Sequence, residues 1–289
     1  MNNNNPVTFD DFNAVLKNKP ALNLTPNKNA NDILAPYTHL ATKLNSKLEK
    51  PLFLAFGGIC ELYEKDDKHP LDVIQAINTP VSSIYKFCNK YNIEAKMYDV
   101  ACGDADAPFS WQGVKDDQGN IKPAISEKQV CYGLTFGMAQ LGQAYDCLIL
   151  SGFGRGFSVM ITALGILLGM PVDVKLKRKY QQQIMEAEKS AKQYMANPWH
   201  VIQWYGGHVM SNLCGVLLAA RMAGIPVILA DKVVQIATLL AYNLDSKDKD
   251  FRGFAMPALY NPQTNYLHDS PSMCGLYTWK AIRDSWELA

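Results

Sequence analysis

The chain has 289 residues, of which 48% are hydrophobic and 19% charged, enough apolar material to fill a sizeable core. It carries 28 Lys and Arg against 27 Asp and Glu, a formal net charge of +1, so nucleic acids and anionic membrane surfaces are excluded as partners. No apolar run approaches the roughly 20 residues of a membrane-spanning helix, and the first residues lack the cationic and apolar regions of a secretory leader. We therefore expect a cytoplasmic protein that binds no membrane.

The seven cysteines are an odd number, widely spread and without a C-x-x-C pair, which predicts buried thiols rather than disulfides. The five histidines are isolated from one another and from the cysteines. A zinc site needs such ligands at short spacing, so no metal site is predicted.

The N-terminal segment, residues 1–30, is rich in Asn, Lys and Pro, with a short helical pattern at Phe12, Val15 and Leu16. Such a segment is either a frayed arm or a strap laid over another subunit, and its composition favours the loose terminus. Helical spacing of apolar residues then predicts a helix over 33–48, which Pro51 ends.

From residue 51 onward, short apolar runs alternate with helical patterns. The runs predict buried strands at 52–56, 95–100, 147–150 and 226–230. The patterns between them predict helices at 73–91, 126–143 with Ser126 as N-cap, 157–168, 175–194, 215–223 and 232–242. This alternation predicts a doubly wound, mostly parallel, Rossmann-like α/β sheet covered on both faces. Ligands should bind beyond the carboxyl ends of the strands, in loops 57–61, 101–106 and 151–156 and at Asp231.

Residues 151–158 read Ser-Gly-Phe-Gly-Arg-Gly-Phe-Ser and join a predicted strand to a predicted helix through alternating glycines. Backbone N–H groups at a helix N-terminus favour an anion, and an arginine adds a charged fork for phosphate. The predicted phosphate-binding residues are Gly152, Gly154, Arg155, Gly156 and Ser158. A tight turn that needs positive φ explains the same glycines, and the local pattern leaves both interpretations open.

Gly206 and Gly207 precede a helix of small residues and are a second candidate for nucleotide binding, although close packing explains them as well. His208 titrates near neutrality in its unperturbed state, and a lone histidine is more often structural than catalytic. Asp231 follows a strand, where a carboxylate either holds a ribose hydroxyl or caps the next helix. Capping is the stronger expectation.

The span 205–229, Tyr-Gly-Gly-His-Val-Met-Ser-Asn-Leu-Cys-Gly-Val-Leu-Leu-Ala-Ala-Arg-Met-Ala-Gly-Ile-Pro-Val-Ile-Leu, carries a resemblance. It is similar, without a gap, to the segment of nicotinate-nucleotide:dimethylbenzimidazole phosphoribosyltransferases that reads Gly-Gly-Phe, an acidic residue, a small-residue helix, Pro-Val and a strand. Residues 50–57, 95–106, 126–142 and 147–169 resemble further segments of that family more weakly, in the same order.

This resemblance implies an enzyme that moves the phosphoribosyl group of nicotinate mononucleotide to the lower-ligand base of a cobamide and releases nicotinate, without metal or cofactor. It also implies a homodimer. The α/β domain would comprise residues 51–261, and a small helical domain would be built from 1–50 and 262–289.

The chain departs from the family at the acidic positions. The family's Asp-His-Gly after the first strand is replaced around Gly57 and Gly58, which with Asp104 are the predicted base pocket. The glutamate of Gly-Glu-x-Gly falls on Gly152, and the glutamate taken as the general base falls on Ser272. The attacking ring nitrogen must lose a proton, and a base there contributes about 10²- to 10⁴-fold in rate. A serine without its own partner cannot supply it.

Three hypotheses follow, in order of preference. The first is an active transferase with a remodelled pocket, in which the candidate catalytic residues are Asp231, Ser272 and His208. The second is a weakened homologue that binds a nucleotide, or a subunit of a heteromeric transferase whose homologous partner supplies the carboxylate. The third is an unrelated Rossmann-like enzyme that shares only the βα pattern.

Overall fold

The structure is a computed structural model. It describes residues 7–17, 48–59, 79–101, 123–142, 145–155, 174–179, 197–244, 255–257 and 271–287, together with 161, 162, 164, 165, 181, 184 and 185. The described strands are β1 (Pro51–Ile59), β2 (Glu94–Ala101), β3 (Cys147–Arg155), β4 (Val227–Leu229) and β5 (Ala255–Pro257). The α-helices are α1 (Phe9–Lys17), α2 (Ser83–Tyr91), α3 (Glu127–Ala139), α4 (Val174–Lys179), α5 (Pro198–Val201), α6 (Gly207–Ala223), α7 (Lys232–Leu244) and α8 (Pro271–Glu287), and a π-helix (Ile202–Gly206) lies between α5 and α6.

The described strands form one sheet in the order β2-β1-β3-β4-β5, and every pairing among them is parallel. The chain therefore starts at β1, steps outward to β2, and returns past β1 to build β3, β4 and β5 on the other side. The predicted doubly wound parallel sheet is confirmed.

Side chains alternate along each strand between two cores. On β1, Leu52, Leu54 and Phe56 face the core that contains α3, α6 and α7, whereas Phe53 and Ala55 face the core that contains α2 and α8. A strand covered on both faces needs apolar residues at every position, which is why these strands read as unbroken apolar runs.

The strands predicted from apolar runs all form, but β1 and β3 extend further than expected. We predicted that they end before Gly57 and after Leu150, whereas they continue to Ile59 and Arg155. Strand β5 was not predicted, and α8 was expected only as part of a small helical domain. The predicted helix at 33–48 lies outside the described residues except for Leu48, and the one at 157–168 is described at residues 161, 162, 164 and 165, all of them helical.

The predicted N-cap of α3 is confirmed. The Ser126 hydroxyl accepts from the Gln129 amide, while the Gln129 side chain accepts from the Ser126 amide, which is a capping box.

The loose N-terminus predicted from composition is wrong for residues 9–17. They form α1, whose Phe12 and Leu16 are each only 6% exposed because they pack into the core on the α3 and α6 side. At the other end of the chain, α8 packs on β3, β4 and α2. The proposed division into an α/β domain and a small helical domain stays a prediction.

Helices α3 and α6 cross at very short range. A Cβ atom at Gly215 of α6 would overlap the Leu134 carbonyl oxygen of α3, and one at Gly137 would overlap the Asn212 carbonyl oxygen. Both obstacles are backbone, which cannot move aside as a flexible side chain does. The glycines therefore set the distance between α3 and α6.

We expect Gly215→Ala to lower the free energy of unfolding by about 3 kcal/mol or more, since the new methyl group forces the two helices apart. Gly142→Ala is the matched control, because a Cβ there meets the Ala139 carbonyl oxygen at an ordinary 3.5 Å. Urea denaturation measures both variants. Equal small losses in the two would show that the crossing is not limited by backbone contact.

Candidate active site

The order of the strands locates the candidate site. In a doubly wound sheet, ligands bind beyond the carboxyl ends of the strands, where the chain reverses its direction of winding. Here that point lies between β1 and β3, the neighbours from which the chain departs to opposite sides. Four of the glycines predicted for the site, Gly57, Gly58, Gly152 and Gly154, lie at those two strand ends.

These glycines lie within strands. The prediction of a ligand-binding loop over 151–156 is therefore wrong for residues 151–155, which belong to β3. Gly58 pairs with Gly154, and Phe56 pairs with Gly152. The expectation of positive φ is also wrong at Gly152 and Gly154, because Gly207 and Gly224 are the described glycines with positive φ.

Packing explains the glycine at position 152. A Cβ there would lie 2.8 Å from Val233 Cγ1 and 3.1 Å from Leu213 Cδ1, so α6 and α7 leave no room for a side chain. The family's glutamate, which the resemblance aligned with this position, therefore has no space here. The Gly152 amide also has a partner already, since it donates to the Asp231 carboxylate at 2.9 Å.

Asp231 links three elements at this edge. Its Oδ1 accepts from the Val234 amide at 3.0 Å, which confirms the predicted cap on α7. Its Oδ2 accepts from the Ser151 hydroxyl at 2.7 Å and from the Gly152 amide, both on β3. A carboxylate that directly follows β4 thereby ties β3 to the first turn of α7.

Burial sets the proton affinity of this carboxyl group. Asp231 is 9% exposed, and burial raises its pKa from 3.8 to about 6. Hydrogen bonds from Val234, Gly152 and Ser151 stabilise the ionised form and limit the rise. A carboxylate with such a pKa is ionised at neutral pH and still basic enough to accept a proton.

The second glycine pair forms a break between two helices. The π-helix ends at Gly206, and Gly207 adopts φ 57° and ψ −157°, a conformation that is essentially restricted to glycine. Gly206 is fixed by packing, because a Cβ there would lie 2.6 Å from the Met210 Cβ. The sequence therefore requires both glycines, one for backbone conformation and one for space.

His208 follows in the first turn of α6 and is 0% exposed. Its carbonyl oxygen accepts from the Ser211 hydroxyl at 2.9 Å and the Asn212 amide group at 2.7 Å. The whole side chain of His208 is therefore buried in the core. Its role as a base stays a prediction, and the burial of the ring does not support it.

The remaining predicted residues are described in part or not at all. Arg155 is the last residue of β3 and Ser272 lies in the first turn of α8, but their side chains are outside the described part of the chain. Asp104, Gly156 and Ser158 lie wholly outside it.

Gly275 lies one turn after Ser272 and packs closely on Ile149 and Ala230, because a Cβ there would lie 2.8 Å from each. This contact brings the start of α8 to the end of β4.

Sequence reasoning missed Ser151 and the π-helix. Ser151 lies 80 positions from Asp231, so no local pattern reveals their hydrogen bond. The Gly206-Gly207 pair was a weak sign of the π-helix. The Gly207 amide makes the last i→i+5 hydrogen bond, to the Ile202 carbonyl, and the helix breaks at this glycine.

Among the cysteines in the described ranges, Cys88, Cys131, Cys147 and Cys214 are buried free thiols as predicted, whereas Cys274 is half-buried. Within the same ranges, no group of three His, Cys, Asp or Glu side chains is placed to hold a metal ion. No described helix combines the length and the apolar character needed to cross a membrane.

The raised pKa of Asp231 predicts a pH dependence of stability. Between pH 4 and pH 6 the folded chain holds a proton that the unfolded chain has released, so stability falls as the pH rises through this interval and levels off above it. We expect the free energy of unfolding of the wild type, minus that of Asp231→Asn, to fall by about 2 kcal/mol between pH 4 and pH 6.5. Urea denaturation at a series of pH values measures the difference, and a difference that rises with pH would contradict the assignment.

Comparisons of the sequence with known proteins identify phosphoribosyltransferases as relatives. A sequence model of the family described as "Phosphoribosyltransferase" matches residues 70–256, more than half of the chain. The nicotinate-nucleotide–dimethylbenzimidazole phosphoribosyltransferase of Brucella anthropi is 22% identical over 271 residues, which cover 82% of this chain and 76% of the relative. The enzyme of that name from Rhizobium rhizogenes is 28% identical over 173 residues, covering 54% of this chain and 46% of the relative.

The crystal structure of CobT from Thermus thermophilus has a similar fold. Its TM-score is 0.65 at 15% sequence identity, with 94% of this chain and 93% of that chain covered. The family match over residues 70–256 shows that the hypothesis of an unrelated enzyme sharing only the βα pattern is wrong. The match over residues 70–256, on a parallel sheet whose glycines collect at its winding reversal, shows that this chain belongs to the phosphoribosyltransferase family.

Proposed function

We propose that this protein transfers the phosphoribosyl group of nicotinate mononucleotide to an aromatic base, as in the activation of a cobamide lower ligand, in a remodelled active site. The observation that carries the proposal is the position of the glycine-rich strand ends, Gly57–Gly58 on β1 and Gly154 on β3. They lie where the winding of the sheet reverses, within a chain that the family model matches. Glycines place no side chain at these strand ends, where the flat ring and the ribose are proposed to lie.

The nucleotide phosphate is proposed to bind at the start of α6, over Gly206 and Gly207. The Gly207 amide already donates to the Ile202 carbonyl, so the proposed donors are the amides that follow it in the first turn of α6. The first amides of an α-helix have no partner within that helix and carry its positive dipole end, which favours an anion. Gly152 is no longer part of this proposal, because its amide donates to Asp231 and a phosphate beside that carboxylate would be repelled. Gly154, Arg155, Gly156 and Ser158 remain proposed contacts.

Asp231 is the proposed general base. The attacking ring nitrogen forms a bond to C1′ of the ribose, the bond from C1′ to the pyridine nitrogen breaks, and nicotinate leaves with that electron pair. The proton on the second ring nitrogen of the acceptor must then pass to a base. A carboxylate with a pKa of about 6 accepts it if the Ser151 hydroxyl, the one partner whose donor can rotate, turns away.

A second candidate function is nucleotide binding without turnover, or a role as one subunit of a heteromeric transferase. The packing at Gly152 favours it, because no glutamate fits where the resemblance places one, and position 272 is a serine. A homologous partner chain would then supply the carboxylate. Assembly as a homodimer and a cytoplasmic location stay parts of the first proposal.

The test incubates the purified chain with nicotinate mononucleotide and a panel of benzimidazoles and purines, with chromatographic detection of nicotinate. We expect release that depends on an acceptor base, and a fall in kcat of about 10²- to 10⁴-fold in Asp231→Asn. Asp146→Asn is the matched control. Asp146 also accepts two backbone amides, from Glu49 at 2.7 Å and Lys50 at 2.9 Å, but it precedes β3 at the opposite edge of the sheet.

Each other outcome selects a different conclusion. Nucleotide binding without release, restored by a co-expressed homologue, would support the second candidate. Release that Asp231→Asn leaves intact would remove Asp231 from the mechanism. If neither nicotinate mononucleotide nor any base binds, both candidates are wrong and the chain is a family member with another substrate.

A further inference from the structure

The helical run before Gly207 is short and contains an unfavourable turn. Helix α5 has four residues and passes directly into the five-residue π-helix. A π-helical turn has poorer geometry than an α-helical one, so its persistence depends on what packs against it. The contacts that hold residues 198–206 in place therefore also set the position of the break at Gly206 and Gly207.

Trp199 connects the run to α1. It is 6% exposed, and its ring stacks on Phe9 of α1 with centroids 4.7 Å apart and planes inclined by 18°. The ring of Phe12, also on α1, lies 6.0 Å away. Aromatic pairs at these distances contribute more stabilising free energy than the apolar area they bury would give. Helix α5 therefore packs against α1.

Helix α1 is itself fixed to the start of α3. The Phe9 amide donates to Glu127 Oε1 at 3.2 Å, in the first turn of α3. Two residues earlier, the Ile125 amide donates to the Gln203 carbonyl of the π-helix at 3.1 Å. The start of α3 thus contacts both α1 and the π-helix, and the three form one connected unit beside the carboxyl edge of the sheet.

We propose that Trp199 is a positioning residue for the reaction and that α1 acts through it. The stack of Phe9 on Trp199 holds the π-helix, and the π-helix holds Gly206 and Gly207 where the nucleotide phosphate binds. The run from Trp199 to Gly207 is eight residues, about 12 Å at the rise of a helix. The expected effect of the Phe9–Trp199 stack on substrate binding rests on the proposed function. Its expected effect on the Gly207 backbone does not depend on any activity.

The test compares Phe9→Ala and Phe9→Leu, which remove the ring, with Phe9→Tyr, which retains it. Val7→Ala is the control, because Val7 lies on the same segment and is 48% exposed. Hydrogen exchange of the Gly207 amide, which donates to the Ile202 carbonyl, reports the local structure, and the Leu148 amide of β3 reports the whole fold. The KM for nicotinate mononucleotide and the kcat are measured on the same samples.

We expect both ring deletions to accelerate Gly207 exchange about tenfold while Leu148 exchange is unchanged, and to raise the KM several-fold with kcat within twofold of wild type. Phe9→Tyr should restore both values, and Val7→Ala should alter neither. Unchanged Gly207 exchange in Phe9→Leu, or equal acceleration at Leu148, would overturn the proposal. If exchange changes as expected but the wild type neither binds nor turns over the nucleotide, the positioning stands and the proposed function fails.

Discussion

The carboxylate of Asp231 is the contact on which the carboxyl edge of this sheet depends. It follows β4, caps α7 through Val234, and reaches across to the hydroxyl of Ser151 and the amide of Gly152 on β3. A buried carboxylate is unfavourable without such partners, and its raised pKa shows that they compensate burial only in part. The edge is therefore held together by a group that also retains affinity for a proton.

This contact removes Gly152 from the proposed ligand contacts. Gly152 is closed, since its amide is engaged and Val233 and Leu213 fill the space beside it. The Gly207 amide is engaged as well, with the Ile202 carbonyl, so the proposed anion contacts are the amides after it in the first turn of α6. Position 152, where the resemblance places the family's glutamate, is occupied by a closely packed glycine, and the nucleotide phosphate is proposed to bind at the start of α6.

Local patterns predicted much of the fold, and non-local contacts account for the errors. Unbroken apolar runs identified the long strands, and Ser126 and Asp231 were recognised as caps because a cap acts within its own helix turn. The glycines at the ends of β1 and β3 were predicted to lie in loops, since the sequence does not reveal that these two strand ends pair with each other, Gly58 with Gly154. The docking of α1 was missed for the same reason: its partner, Trp199, lies far along the chain.

The most direct test of the central role of Asp231 is an amide NMR titration of the labelled chain with nicotinate mononucleotide. We expect chemical shift changes at Gly154, Gly207 and His208, while the Gly152 amide keeps its shift and its slow exchange because Asp231 still holds it. Changes centred on Ser151 and Gly152 with loss of that protection, or changes confined to the α2 and α8 side of the sheet, would contradict this role.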